Sequence, residues 1–189
     1  MMKVMIYTSS PNTDGLTAAC GIAAKTGTLE GGAQVVMVNL NQLEIGSCQA
    51  CGNGWGTCRN EHVCQVEDDF QALHASMADI DAYVLVTPVY WGEMSESAKA
   101  FSDRVRRCEA LKKDKSFFEG KPVIAVAAAG GTGNGLTTCL TSMERFITHV
   151  NAEKFDLIGV TQKNRVYKLD TLQQATREMV SLSNLKSQS

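Results

Sequence analysis

Four of the seven cysteines in this 189-residue chain, Cys48, Cys51, Cys58 and Cys64, fall in one short stretch. Their spacing, Cys48-x2-Cys51-x6-Cys58-x5-Cys64, gathers enough thiolates to hold a [4Fe–4S] cluster or a structural zinc ion. The same residues also read as a lid or subunit-contact loop with reduced thiols. His62 lies among them as a spare ligand, whereas His74 and His149 fall on helical patterns and read as surface or satisfied side chains. The segment from about Glu44 to Val66 shows no periodicity, and an irregular stretch of that length tends to be functional or ordered by something. Cys20, Cys108 and Cys139 lie on apolar helix faces and read as small core residues.

Three other segments have compositions suited to a ligand. Thr8-Ser9-Ser10-Pro11-Asn12-Thr13-Asp14-Gly15-Leu16-Thr17 runs from a strand end into a helix start, where hydroxyls and free N–H groups attract phosphate. It lacks the Gly-Lys-Ser/Thr ending of a Walker loop and the glycines of a dinucleotide fingerprint, and caps and turns favour the same residues. Thr87-Pro88-Val89-Tyr90-Trp91-Gly92-Glu93-Met94-Ser95 places two large aromatics beside a glycine, a wall for a flat ring or else a hydrophobic plug or oligomer contact. Ala129-Gly130-Gly131-Thr132-Gly133-Asn134-Gly135 is dense in glycine, which marks close approach of backbone to a ligand or a mobile surface loop. No acid or base is placed as a catalytic residue; Glu93 reads as a solvated loop carboxylate.

These segments need elements to hold them. Val4–Tyr7, Val35–Val38, Tyr83–Val86, Val123–Ala127 and Phe155–Val160 read as strands. Between and after them, helical stripes run through Leu16, Ala19, Cys20 and Ala23, and through Ala98, Phe101, Val105 and Cys108. Further stripes are Leu136, Leu140, Met143, Ile147 and Val150, then Leu172, Ala175, Met179 and Leu182, while a short helix starts at Asp68. Five strands alternating with helices imply a parallel sheet with right-handed crossovers, whose ligand sits beyond the carboxyl ends of the strands. No linker or repeat divides residues 1–189, so they read as one domain with a Cys-rich insertion at about 44–67.

Composition narrows the function. Hydrophobic residues make up 44% and the formal charge is −2, which excludes a nucleic-acid groove. Arg104, Arg106 and Arg107, followed by Lys112, Lys113 and Lys115, read as a solvated helix end running into a loop. No stretch spans a bilayer, the apolar start is too short for a signal peptide, and the expected location is the cytoplasm.

Ser10-Pro11 with Gly15-x-Thr17, Thr87-Pro88-Val89-Tyr90-Trp91-Gly92 and Lys99-x-Phe101-x-Asp103-Arg104 together resemble the NAD(P)H-dependent FMN reductase and iron–sulfur flavoprotein branch of the flavodoxin-like proteins. The glycine run at 130–135 and the segment from Cys48-x-x-Cys51 to Glu67-Asp68-Asp69 fit the same branch. The resemblance implies a flavodoxin-like three-layer α/β sandwich, a five-stranded parallel sheet of order 2-1-3-4-5 with helices on both faces. It implies FMN, with Ser10, Asn12, Gly15, Leu16 and Thr17 at the phosphate. Pro88, Val89, Tyr90, Trp91 and Gly92 would line the ring and ribityl chain, and Gly130 with Gly131 would close over it. Asn12 stands where relatives often carry Arg, so neutral donors and the helix dipole must hold the phosphate. Gly54 stands where iron–sulfur flavoproteins have a third cysteine, so the cluster spacing is altered. The implied function is an FMN oxidoreductase passing electrons from NAD(P)H to a quinone, metal, second flavin or protein, as a homodimer or homotetramer. A non-enzymatic flavodoxin-type carrier and a flavin or thiol redox sensor are the alternatives. A receiver domain would need an acid at the end of the third strand, where Thr87 and Pro88 stand.

Overall fold

The computed structural model describes residues 1–112 and 115–186; Lys113 of the basic run lies outside them. Six strands are present among the described residues: β1 (Lys3–Thr8), β2 (Gln34–Asn39), β3 (Ala82–Tyr90), β4 (Glu93–Met94), β5 (Pro122–Ala129) and β6 (Glu153–Thr161). The main sheet is parallel in the order β2-β1-β3-β5-β6, which is the expected order with β4 added as a short antiparallel hairpin on β3. The helices are α1 (Leu16–Glu30), α2 (Cys51–Gly54), α3 (Asp69–Ser76), α4 (Glu96–Glu109), α5 (Leu136–His149) and α6 (Arg165–Lys186).

Strand side chains alternate between two cores, as a pleat buried on both faces requires. Val4, Ile6, Val84 and Val86 pack beneath α1 and α6 with Leu16, Cys20, Leu172 and Met179. Met5, Tyr7, Tyr83 and Leu85 face α3, α4 and α5, against Phe70, Phe101, Val105, Met143 and Ile147. Cys20, Cys108 and Cys139 are fully buried, and burial raises each thiol's pKa, to about 12, 12 and 11. They are core residues, as their helical spacing implied.

Two expectations change. The last helix buries Leu172, Thr176, Met179 and Val180, whereas Leu182 is exposed, because α6 begins at Arg165 and its stripe drifts over so long a helix. Arg104 is not solvated: it is 1% exposed, held by the cysteine segment that lies across α4.

α1 and α6 lie unusually close, and Gly27 sets the distance: a Cβ there would fall 2.0 Å from the Gln173 carbonyl oxygen. Gly27→Ala is therefore expected to destabilise the protein. Overpacking onto backbone falls at the upper end of the usual range, about 3 kcal/mol, and an offset of about 1 kcal/mol from helix propensity leaves a loss of about 2 kcal/mol. A melting curve should show Tm lower by about 4–8 °C.

Candidate functional site

The three ligand-like segments meet at the carboxyl edge of the sheet. Ser95 Oγ donates to the Ser9 carbonyl at 2.8 Å, and Ser9 Oγ donates to Val86 O at 3.3 Å, which ties the first loop to the second. The second meets the third through two glycines: a Cβ on Gly135 would lie 2.5 Å from Gly92 Cα and 2.8 Å from Gly92 N. Gly92 (φ 82°) and Gly135 (φ 76°) are both left-handed, so the contact depends on glycine twice over.

In the first loop, Ser10 Oγ accepts from Asn12 N–H and Asn12 Oδ1 accepts from Asp14 N–H, a pair of local turns that leads the chain into α1. Gly15 is the N-cap of α1, and no side chain caps the helix. A Cβ on Gly15 would sit 3.0 Å from Asn12 Nδ2, so glycine makes room for the Asn12 amide beside the helix end. Leu16 and Thr17 are buried, and their N–H groups belong to the first turn, which has no intrahelical acceptor. The loop's one charged residue, Asp14, is exposed, so attraction for an anion comes from the helix dipole and neutral donors.

The second segment differs from its reading as a loop. β3 runs on through Thr87, Pro88 and Val89 to Tyr90, and only Trp91 and Gly92 form the turn into β4. Pro88 is tolerated because the β1 ladder ends at Thr8↔Val86, so no partner on that side needs its missing N–H. Both turn residues have φ > 0, the geometry of a two-residue hairpin, at 51° for Trp91 and 82° for Gly92. The hairpin carries the Trp91 ring fully into solvent, with Tyr90 half-exposed beside it. Gly130 and Gly131 are exposed and have open space where a Cβ would be, so nothing in the chain itself requires glycine there. Sequence reading missed Ser9, Ser95 and Gly135, whose importance lies in contacts between loops.

The cysteine segment folds against α4. Cys48, Cys51, Cys58 and Cys64 all line one small pocket together with Arg104 and Arg107, so the structure brings the four thiols together. His62 is not on its wall. Among the described residues no three Cys, His, Asp or Glu side chains converge on a point that could hold one metal ion. Arg104 donates to Gly46 O, Val66 O and the Asp68 carboxylate, and stacks 4.3 Å over Phe70. Arg107 donates to Gly54 O at 2.7 Å and stacks on Trp55, which Arg59 approaches from 5.7 Å. Burial opposes the charge on Asp68, but Arg104 and the N–H groups of Gly46 and Phe70 hold its carboxyl below the usual range. Asp68 is also the N-cap of α3, in a capping box with Gln71. That spacing was legible; its partnership with Arg104 was not.

Of the other histidines, His74 is buried and paired with Glu109, while His149 is exposed with its ring against Arg145 O. Glu93 is exposed as expected, although it lies in β4 and not in a loop.

A doubly wound parallel sheet of this strand order, with an uncapped helix end after its first strand and an aromatic hairpin after β3, defines a flavodoxin-like protein. The NADPH-dependent FMN reductase family model matches residues 2–153, and the chain belongs to that family, with FMN as its cofactor. An iron–sulfur flavoprotein of Methanocaldococcus jannaschii is 30% identical, over 77% of this chain and 71% of its own length. One from Methanosarcina thermophila is 29% identical, over 71% of this chain and 66% of its own, so the match spans about two thirds of these relatives. The fold is also that of an NAD(P)H:quinone oxidoreductase from Methanothermobacter marburgensis, with TM-score 0.70 and 17% identity over 94% of this chain and 96% of that one. An archaeal flavodoxin superposes with TM-score 0.63 at 13% identity, covering 97% and 99% of the two chains. No helix among the described residues is long and apolar enough to cross a membrane.

Proposed function

We propose that this protein is a cytoplasmic FMN-dependent oxidoreductase that takes electrons from NAD(P)H and passes them through the flavin to a quinone, metal or protein acceptor. The observation that supports it best is the junction of three loops over one sheet edge, with an uncapped helix end at one side and exposed aromatics at the other. In this reading Ser10, Asn12, Gly15, Leu16 and Thr17 bind the phosphate, with the N–H groups of the first turn of α1 as donors. Pro88, Val89 and Gly92 shape the ring slot, and Gly130 and Gly131 let backbone come close to the ring from the far side. Tyr90 and Trp91, exposed on the hairpin, supply a surface on which a nicotinamide can be held against the flavin and shielded from water. Bound FMN supplies the redox chemistry, accepting hydride and releasing electrons onward.

The cysteine pocket fits a cluster by its donor set. Its four thiols stand around a wall shared with two cations and do not point at one centre. Four thiolates are the donor number that a cubane cluster takes, one for each iron. Cys48, Cys51, Cys58 and Cys64 would be the ligands, and the group would supply one-electron steps between flavin and acceptor. A subunit contact at the flavin, in a homodimer or homotetramer, belongs to the same proposal.

Protein purified without oxygen should show flavin bands, release FMN on acid precipitation, contain about four irons and four sulfides per chain, and oxidise NAD(P)H with quinone or ferric acceptors. The double variant Cys48→Ser, Cys51→Ser should lose the iron and its broad absorption while keeping FMN. Colourless protein that ignores micromolar FMN would refute the flavin reading. FMN without turnover would assign an electron carrier.

A further inference from the structure

The two arginines on the pocket wall offer more positive charge and hydrogen-bonding capacity than the fold consumes. Arg104 is 1% exposed, and its Nε is fully buried with no hydrogen-bond partner among the described residues. Leaving such a donor unpaired costs free energy unless something accepts from it. The other guanidinium nitrogens are engaged, Nη1 with Asp68 and Gly46 O, Nη2 with Val66 O. The Cys64 side chain also lies within hydrogen-bonding reach of the Arg104 guanidinium. Arg107 follows three residues later on α4, lines the same pocket, and has no carboxylate partner among the described residues; it holds Gly54 O and the Trp55 face instead. One carboxylate, Asp68, thus offsets two guanidinium charges beside four thiols.

We propose that Arg104 and Arg107 are tuning residues for an anionic iron–sulfur group in this pocket, Arg104 donating from Nε–H to its sulfur and the pair together raising its reduction potential. The inference rests on the cluster reading of the cysteine segment. A cubane held by four thiolates carries about −2 when oxidised and gains one further negative charge on reduction, as one iron goes from ferric to ferrous. Positive charge and N–H donors at the sulfurs favour the more negative, reduced form, so they shift the potential upward. Burial under the cysteine loop makes the effect larger than it would be in water. Such a shift brings the group within reach of a flavin electron donor.

The test is a mediated redox titration of anaerobically prepared protein, the cluster followed by its electron paramagnetic resonance signal and FMN by its visible bands. Iron and acid-labile sulfide are assayed first on each sample. Arg107→Gln is expected to shift the cluster's one-electron equilibrium at least tenfold toward the oxidised form, about 59 mV downward. Asp68→Asn, which keeps a capping side chain but removes the opposing charge, should shift it upward. Arg104→Lys should move it in the same direction as Arg107→Gln, since charge remains but the Nε–H is lost. FMN's own midpoint should hold in all three. If Arg104→Lys fails to fold, seen as loss of FMN and a lower Tm, the opposite signs of the other two variants decide the matter. A purely structural role would move Arg107→Gln and Asp68→Asn the same way or not at all, with iron retained, and would overturn the proposal while leaving the cluster reading intact. Wild-type protein without iron or sulfide would overturn both.

Discussion

A Gly135→Val variant is expected to fold and yet to hold FMN at least a hundredfold more weakly than the parent. The branched side chain is penalised twice. At φ 76° the backbone is in the left-handed region, which costs an L-residue about 1–2 kcal/mol. Its Cβ would also lie 2.5 Å from Gly92 Cα and 2.8 Å from Gly92 N, backbone atoms that can yield only if the hairpin moves. Relief through a loop shift costs about 1–3 kcal/mol more. Both positions lie in loops above the sheet rather than in the two cores, so the cheaper response is for the loops to part. About 3 kcal/mol placed on the bound geometry is about a hundredfold in affinity. Equilibrium dialysis or flavin fluorescence measures this directly. Gly130→Ala is the informative companion, because open space surrounds its Cβ and the chain has no objection to alanine there. Lost FMN affinity in Gly130→Ala at unchanged Tm would report the ring itself near that backbone. Unchanged FMN affinity in Gly135→Val would mean that the two loops do not jointly hold the cofactor.

How far the fold could be read in advance depended on the range of the signal. Runs such as Val4–Tyr7 and Val123–Ala127 are apolar because both faces of a parallel strand are covered, and that pattern is local. The α3 start at Asp68 was legible for a similar reason, since Asp68 and Gln71 lie three residues apart and satisfy each other's backbone. β3 was underestimated because Pro88 looks like a strand breaker. Whether Pro88 breaks a ladder depends on where a different strand, β1, happens to end. The closing glycine contact joins positions far apart in the chain, and glycine-rich composition alone could not say which glycine is essential.

The cysteine segment shows the same division. Four cysteines in one irregular stretch advertise themselves, and their gathering about one pocket followed. What orders the stretch did not: Arg104 and Arg107 looked like the solvated end of a helix, since arginine on an amphipathic helix usually is. They are instead the clamps that fasten the loop, through Gly46, Gly54, Val66 and Asp68. Long side chains reaching over a neighbouring loop leave no periodic trace, so burial of charge is read only once the loop is in place.

Acid should weaken the frame that holds this pocket, through one glutamate. Glu109 is fully buried at the end of α4, where His74 Nε2 lies 2.5 Å and Lys112 Nζ 2.6 Å from Oε1, and Phe117 N–H donates to Oε2 at 2.7 Å. His74 is stacked on Phe70, and Lys112 sits 3.8 Å over Phe117, so the carboxylate joins α3, α4 and the segment leading to β5. Burial alone would raise its pKa, but these three donors more than compensate and lower it from 4.5 to about 2. A carboxyl depressed in the folded state stabilises it fully above its unfolded pKa, and that stabilisation fades as pH falls from about 4.5 toward about 2. The difference corresponds to about 3 kcal/mol, a sizeable part of the stability of an ordinary domain. Glu109→Gln keeps the shape but leaves Lys112 without its counter-charge, so it should cost about 3 kcal/mol at pH 7. Its urea midpoint should then depend less on pH between 5 and 2.5 than the parent's, the two curves converging at the acid end. Parallel curves over that window would show that Glu109 is not the group whose protonation loosens α3 from α4, and the acid sensitivity of the cysteine pocket would have to come from Asp68 instead.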